Sequence, residues 1–145
     1  MVCPADIIFV VDKSGSIGST NFQLMKSFLS RLVSNLDIDS GNTRVGLVTF
    51  SDGVETSINL NAHLSVASLQ SVISSISYYT GGKTNTAAAL AYVRTTMLTS
   101  AAGDRSNVPN VVVVLTDGTS ANPTSTQVNN FVMKFIACYF YIVFP

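Results

Sequence analysis

Two uninterrupted aliphatic runs, "DIIFVVD" at residues 6–12 and "VVVVLTD" at residues 111–117, each stop on an aspartate. Continuous apolar runs of this kind suit strands buried on both faces, as in a parallel sheet with helices on either side. The chain between them agrees. Phe22, Met25, Phe28 or Leu29, Leu32 and Leu36 recur at helical intervals, which predicts a helix from about Asn21 to Leu36. Thr20 and Gln23 have capping-box spacing at its start, with Thr20 as the N-cap. "TRVGLVTF" predicts a second strand, and "VETSINL" alternates like a half-exposed antiparallel strand at an edge. Leu64 to Ile76 reads as a helix, and "YYTGGKTNT" as a glycine loop opening another from Thr86 to about Ser100. Pro123 suits the first turn of a further helix. Strands alternating with helices predict an α/β fold with a doubly wound, mainly parallel sheet and one antiparallel edge strand.

Such sheets bind ligands outside the carboxyl ends of strands where the strand order reverses. Asp12 and Asp117 both end strands, so they are expected to face one crevice. Ser14 and Ser16 alternate with Asp12 in the turn that follows, where Gly15 is expected to permit the bend. Thr84 opens the glycine loop. Taken singly, each of these pieces reads as a cap or a turn. Together, in this order and at strand ends, Asp12, Ser14, Ser16, Thr84 and Asp117 form an all-oxygen set without histidine or cysteine. Hard divalent cations favour that set, and Mg²⁺ in particular takes few carboxylates and fills its octahedron with neutral oxygens.

Composition excludes other classes. Eight acids balance eight bases, and only 11% of the 145 residues are charged, with no basic stripe; this argues against a nucleic-acid partner. The apolar C-terminal stretch "FVMKFIACYFYIVFP" contains Lys134 and is too short for a membrane span. "MVCPADIIFVVD" lacks the basic start of a signal peptide. "GGKT" would need a P-loop glycine where Ser77 stands, and it follows a helix rather than a strand. A serine hydrolase lacks its G-x-S-x-G, and the one histidine, His63, reads as a surface residue after the edge strand. A magnesium-dependent phosphatase lacks a general base and a second metal set. Cys3 and Cys138 form neither a disulfide framework nor a metal site; free thiols are favoured over a mutual bond.

"DIIFVVDKSGSIG", "RVGLVTFSD", "GGKTNTAAAL" and "VVVVLTDG" together resemble the von Willebrand factor type A domain, the integrin I-like domain of matrix proteins such as matrilins and certain collagens. The resemblance covers roughly Asp6 to Gln127. It implies a metal-ion-dependent adhesion site with Asp12, Ser14 and Ser16 as its first segment, Thr84 as the loop threonine and Asp117 as the last acid. It implies binding rather than catalysis: Mg²⁺ or Mn²⁺, with Ca²⁺ as a third candidate, would accept an aspartate or glutamate carboxylate from an extracellular protein such as a collagen. Two alternatives stand beside this reading: a structural module whose metal site is unused, and, less favoured, a magnesium-dependent nucleotide or phosphate enzyme. Ligand contacts would come from loops near Ser51–Gly53, Tyr78–Lys83 and Thr119–Asn122. Lys13 and Lys83 could favour an acidic partner, although solvated loop lysines are the plainer reading.

By the same resemblance, residues 1–128 form the domain, incomplete at its C-terminus, and residues 129–145 are a hydrophobic tail outside the family pattern. That tail reads as translated non-coding sequence or a clipped gene model, on a fragment of a larger secreted protein. In matrix relatives a cysteine placed like Cys3 pairs with one after the last helix. Within the tail, a short helix from about Thr124 to Met133 and a makeshift parallel strand over Ile136–Val143, beside Val111–Thr116, are expected.

Overall fold

The computed structural model describes residues 4–79, 82–118 and 120–121. The tail helix and strand, both cysteines, Thr119 and Asn122 lie outside the described residues.

Among the described residues, four strands form one sheet: β1 (Ala5–Asp12), β2 (Thr43–Phe50), β3 (Val54–Ile58) and β4 (Asn110–Leu115). Their order is β3-β2-β1-β4. β1 runs parallel to both neighbours, with Asp12 beside Phe50 and Val11 beside Leu115. β3 is antiparallel to β2, as its half-polar alternation predicts. The fold is therefore the mainly parallel α/β sheet expected, with the single antiparallel strand at an edge.

The aliphatic run of β1 serves two cores because alternate side chains point to opposite faces. Phe9 and Val11 join Phe22, Met25, Leu29 and Val33 of α1 (Gly18–Val33) and Leu69 and Ile73 of α2 (Val66–Ser75). Ile8 and Val10 face the other way, against Ala89 and Leu90 of α3 (Thr86–Tyr92), Val93 and Met97. The four buried side chains of α1 recur at helical spacing, and each contributes about 2 kcal/mol by leaving water. Met97 owes its place to Gly46: a Cβ there would lie 3.0 Å from the methionine methyl carbon.

Two helices depart from expectation. α1 begins at Gly18, so Thr20 lies inside it and the capping box does not form. Its start is set instead by the turn that closes when the Ile17 amide donates to the Ser14 carbonyl at 3.2 Å. The helix expected from Thr86 to Ser100 is α-helical only to Tyr92; Val93–Met97 widen into a π-turn, where the Leu98 amide donates to the Val93 carbonyl at 2.9 Å. A short 3₁₀ turn, Ser100–Ala102, then follows.

On the α1 side, an apolar groove of about 430 Å³ runs between Ile7 and Phe9 of β1, Val111 and Val113 of β4, and Phe28 and Leu32 of α1. Among the described residues, no helix is long and apolar enough to cross a membrane.

Candidate metal centre

The chain leaves β1 toward β2 and β3 on one side, and β4 lies on the other. Strand order therefore reverses between β1 and β4, and their carboxyl ends open a crevice at that point. Asp12 closes β1, and Asp117 lies two residues past the end of β4.

Asp12 is fully buried, and both of its oxygens are held. The Ser14 amide donates to Oδ1 at 2.7 Å, and the Thr116 hydroxyl donates to Oδ2 at 2.6 Å. A buried carboxylate left without such donors would be costly. Ser14 is also buried, and its Oγ lies 3.2 Å from Ser16 Oγ. The Ser16 hydroxyl donates in turn to Asp117 Oδ1 at 3.1 Å. Ser16 and Asp117 are exposed, so a line of oxygens climbs from the buried carboxylate to the surface. Ser14, Ser16 and Asp117 thus meet side chain to side chain, and Asp12 joins them through the Ser14 amide.

Thr84 joins them through its backbone. Its carbonyl accepts from the Ala121 amide at 2.8 Å, just past Asp117, and the neighbouring Gly82 carbonyl lies 3.5 Å from the Gly15 amide. The glycine loop therefore abuts both acid-bearing segments. Thr84 itself is half-buried.

Several features correct or extend the sequence reading. Gly15 does not have a positive φ; in this turn the positive φ falls at Gly18, at 72°, where the chain enters α1. Tyr78, unassigned individually from sequence, braces that turn: its hydroxyl accepts from the Gly18 amide at 3.1 Å and donates to the Ser14 carbonyl at 3.0 Å. Its ring packs 5.3 Å from that of Phe22. Thr116 was missed as well, although a hydroxyl at the last position before the acid was the available signal. Lys13 is not a solvated loop lysine. It is 2% exposed, with its Nζ 2.7 Å from Glu55 Oε2. Lys83 is exposed, and its amide donates to Asp52 Oδ1 at 2.8 Å. His63, expected at the surface, is half-buried in the loop after β3, with Nδ1 2.5 Å from Ser68 Oγ.

Glu55 is the titrating group with a resolved shift closest to the crevice. Partial burial pushes its carboxyl up, but hydrogen bonds from Lys13 and Ser51 and the charge of Lys13 together hold it below the ordinary glutamate range.

Among the described residues, no cluster of three histidine, cysteine, aspartate or glutamate side chains gathers anywhere. To a hard divalent cation the crevice offers hydroxyls beside two carboxylates. The oxygen line fits that chemistry: hard, mostly neutral donors at one open end and two formal negative charges.

The von Willebrand factor type A domain profile matches residues 6–137. The chain belongs to that family. Among curated relatives, the collagen alpha-4(VI) chain of Mus musculus is 41% identical over 121 residues, spanning 82% of this chain and 5% of that protein. Vitrin of Mus musculus is 37% identical over 116 residues, spanning 80% of this chain and 18% of that protein. Matrilin-1 of Mus musculus is 40% identical over 118 residues, spanning 79% and 23%. The chain thus corresponds to a minor part of each relative. Among solved structures, proximal thread matrix protein 1 from the mussel byssus superposes with a TM-score of 0.87 at 28% identity, covering 94% of this chain and 37% of that one. A further structure of the mussel protein, with a zinc-occupied MIDAS motif, has a TM-score of 0.83 at 27% identity and covers 95% of this chain and 35% of that one.

Proposed function

We propose that this von Willebrand factor type A domain is a metal-dependent protein-binding module of the extracellular matrix. Asp12, Ser14, Ser16, Thr84 and Asp117 would hold a divalent cation, Mg²⁺ or Mn²⁺ ahead of Ca²⁺. The observation that carries this reading is the oxygen line Ser14 Oγ–Ser16 Oγ–Asp117 Oδ1 at the reversal point of the sheet. The zinc-occupied motif of the mussel protein supports it by likeness.

The residues divide the work. Thr116 and the Ser14 amide fix Asp12, so its charge is aimed into the crevice before any ligand arrives. Ser14 and Ser16 supply neutral oxygens, which keep the charge of the ligand set low. Asp117 supplies the second charge from the exposed side. A dication bound there, formally neutralised by two carboxylates, supplies an electrophilic position for a carboxylate of a partner protein. The vitrin and matrilin relatives support binding rather than catalysis as the module's task. The collagen and matrilin relatives make a matrix protein, a collagen included, the partner class proposed.

Calorimetric titration of the 145-residue chain with Mn²⁺ tests the reading. One site is expected, lost in Asp117→Ala, with binding to immobilised matrix proteins abolished by EDTA. Absence of Mn²⁺ binding would instead favour a structural module with an unused site.

A further inference from the structure

Lys13 stands between two proposed metal ligands, yet it points away from solvent and serves neither cation nor partner. Its Nζ contacts Glu55 of β3 at 2.7 Å, beneath the ring of Tyr79 at 5.2 Å. Its amide donates to the Phe50 carbonyl at 2.7 Å. The other oxygen of Glu55 accepts from the Ser51 hydroxyl. The same hairpin continues to the glycine loop. The Ser51 carbonyl accepts from the Asn85 amide at 2.8 Å, the Asp52 carbonyl from Asn85 Nδ2 at 3.0 Å, and Asp52 Oδ1 from the Lys83 amide at 2.8 Å. Thr84 lies between those two anchored residues. The hairpin Ser51–Glu55 therefore grips the Asp12–Ser16 segment on one side and the Thr84 loop on the other.

We infer that Lys13 and Glu55 are a positioning pair: through the hairpin they set the spacing between the two ligand-bearing segments, and so tune cation affinity without touching the cation. The inference rests on the metal-site reading above. Removing either partner deletes the side-chain tie between the hairpin and the Asp12 turn, leaving the bond from the Lys13 amide to the Phe50 carbonyl. Removing Glu55 also leaves a buried ammonium facing the rings of Phe22 and Tyr79, 5.9 and 5.2 Å away.

Two variants separate positioning from plain electrostatics and plain stability. Lys13→Met replaces one member of the pair by an apolar side chain of similar size, and the Glu55 left behind is 32% exposed and still accepts from Ser51, so no buried charge is stranded. It also deletes a positive charge near the site, which by charge alone would tighten cation binding. Positioning predicts the opposite sign. Mn²⁺ affinity should fall about tenfold in both Lys13→Met and Glu55→Gln, at the low end for groups that orient metal ligands. The melting temperature of metal-free Lys13→Met should not fall in step. Equal or tighter Mn²⁺ binding by Lys13→Met, or unchanged binding by Glu55→Gln, overturns the inference while leaving the site reading intact. Failure of the unaltered chain to bind Mn²⁺ overturns both.

Discussion

The Ser16 hydroxyl donates to Asp117 Oδ1 across 3.1 Å, although 101 positions separate the two residues in the chain. Their meeting follows from the sheet: β1 and β4 are adjacent and parallel, in register to Val11 and Leu115, so the loops that leave them run side by side. The contact is exposed, whereas Asp12 beneath it is buried. Those two acids should therefore behave differently when removed.

Asp117→Ala should abolish Mn²⁺ binding while shifting the metal-free melting temperature by no more than about 2 °C, as for an exposed group with one hydrogen bond at stake. Asp12→Ala should abolish binding and also destabilise by about 2–4 kcal/mol. It strands the Ser14 amide and the Thr116 hydroxyl together. Calorimetry alongside chemical denaturation reads both. Equal stability losses for the two variants would contradict this division.

Arg105→Ala should be among the most destabilising single changes at the opposite end of the sheet. Asp6 is fully buried, and Arg105 meets its Oδ1 through Nη2 at 2.7 Å and Nε at 2.9 Å. Removing one member of a buried pair costs about 3–5 kcal/mol, because the other stays uncompensated. A urea midpoint close to that of the unaltered chain would show that Asp6 finds another partner.

Two glycines with similar backbone angles should respond unequally to alanine. Gly41 has φ +82° and open space around it, so Gly41→Ala should cost only the left-handed penalty, about 1 kcal/mol. Gly103 has φ +94°, and a Cβ there would lie 2.7 Å from the Asn61 amide nitrogen. Gly103→Ala should cost clearly more, because backbone must move as well. Thermal denaturation of the pair decides it.

Acid should weaken the link between Lys13 and Glu55. The folded-state carboxyl of Glu55 lies below its unfolded value, so its contribution is complete above the unfolded value and is lost as pH falls through the folded one. The stability difference between the unaltered chain and Glu55→Gln should thus be present at neutral pH and shrink from about pH 4 downward. With the Glu55 side chain 32% exposed, the part of that difference that titrates should stay under about 1 kcal/mol. Denaturation curves from pH 7 to pH 3 test the sign.

What local sequence pattern could reveal is the set of features fixed by neighbours in the chain. "TRVGLVTF" runs from Thr43 to Phe50, and so does β2, because its apolar character and flanking turns are both local. The juxtaposition of Asp12 and Asp117 was legible too, since parallel topology carries strand ends to one side. The start of α1 was not. Thr20 and Gln23 offered a capping box, but the turn closed by Ser14 and Ile17 and the hydroxyl of Tyr78 began the helix earlier. Tyr78 lies 60 positions from Gly18, beyond any local window. Lys13 was misread for the same reason: its burial depends on Glu55 and Tyr79, which pattern alone cannot bring to it.

The phenol of Tyr78, shared between the Ser14 carbonyl and the Gly18 amide, gives this crevice an optical signature of its own. The chain has no tryptophan and five tyrosines, so tyrosine dominates its near-ultraviolet absorption and emission. A phenol's spectrum depends on what its hydroxyl donates to and accepts from. Any adjustment of the Ser14–Ser16 turn therefore alters the light that Tyr78 absorbs, and Tyr78→Phe supplies the silent reference. A cation entering the proposed site should thus be detectable in the unlabelled chain by ultraviolet difference absorption, without calorimetry.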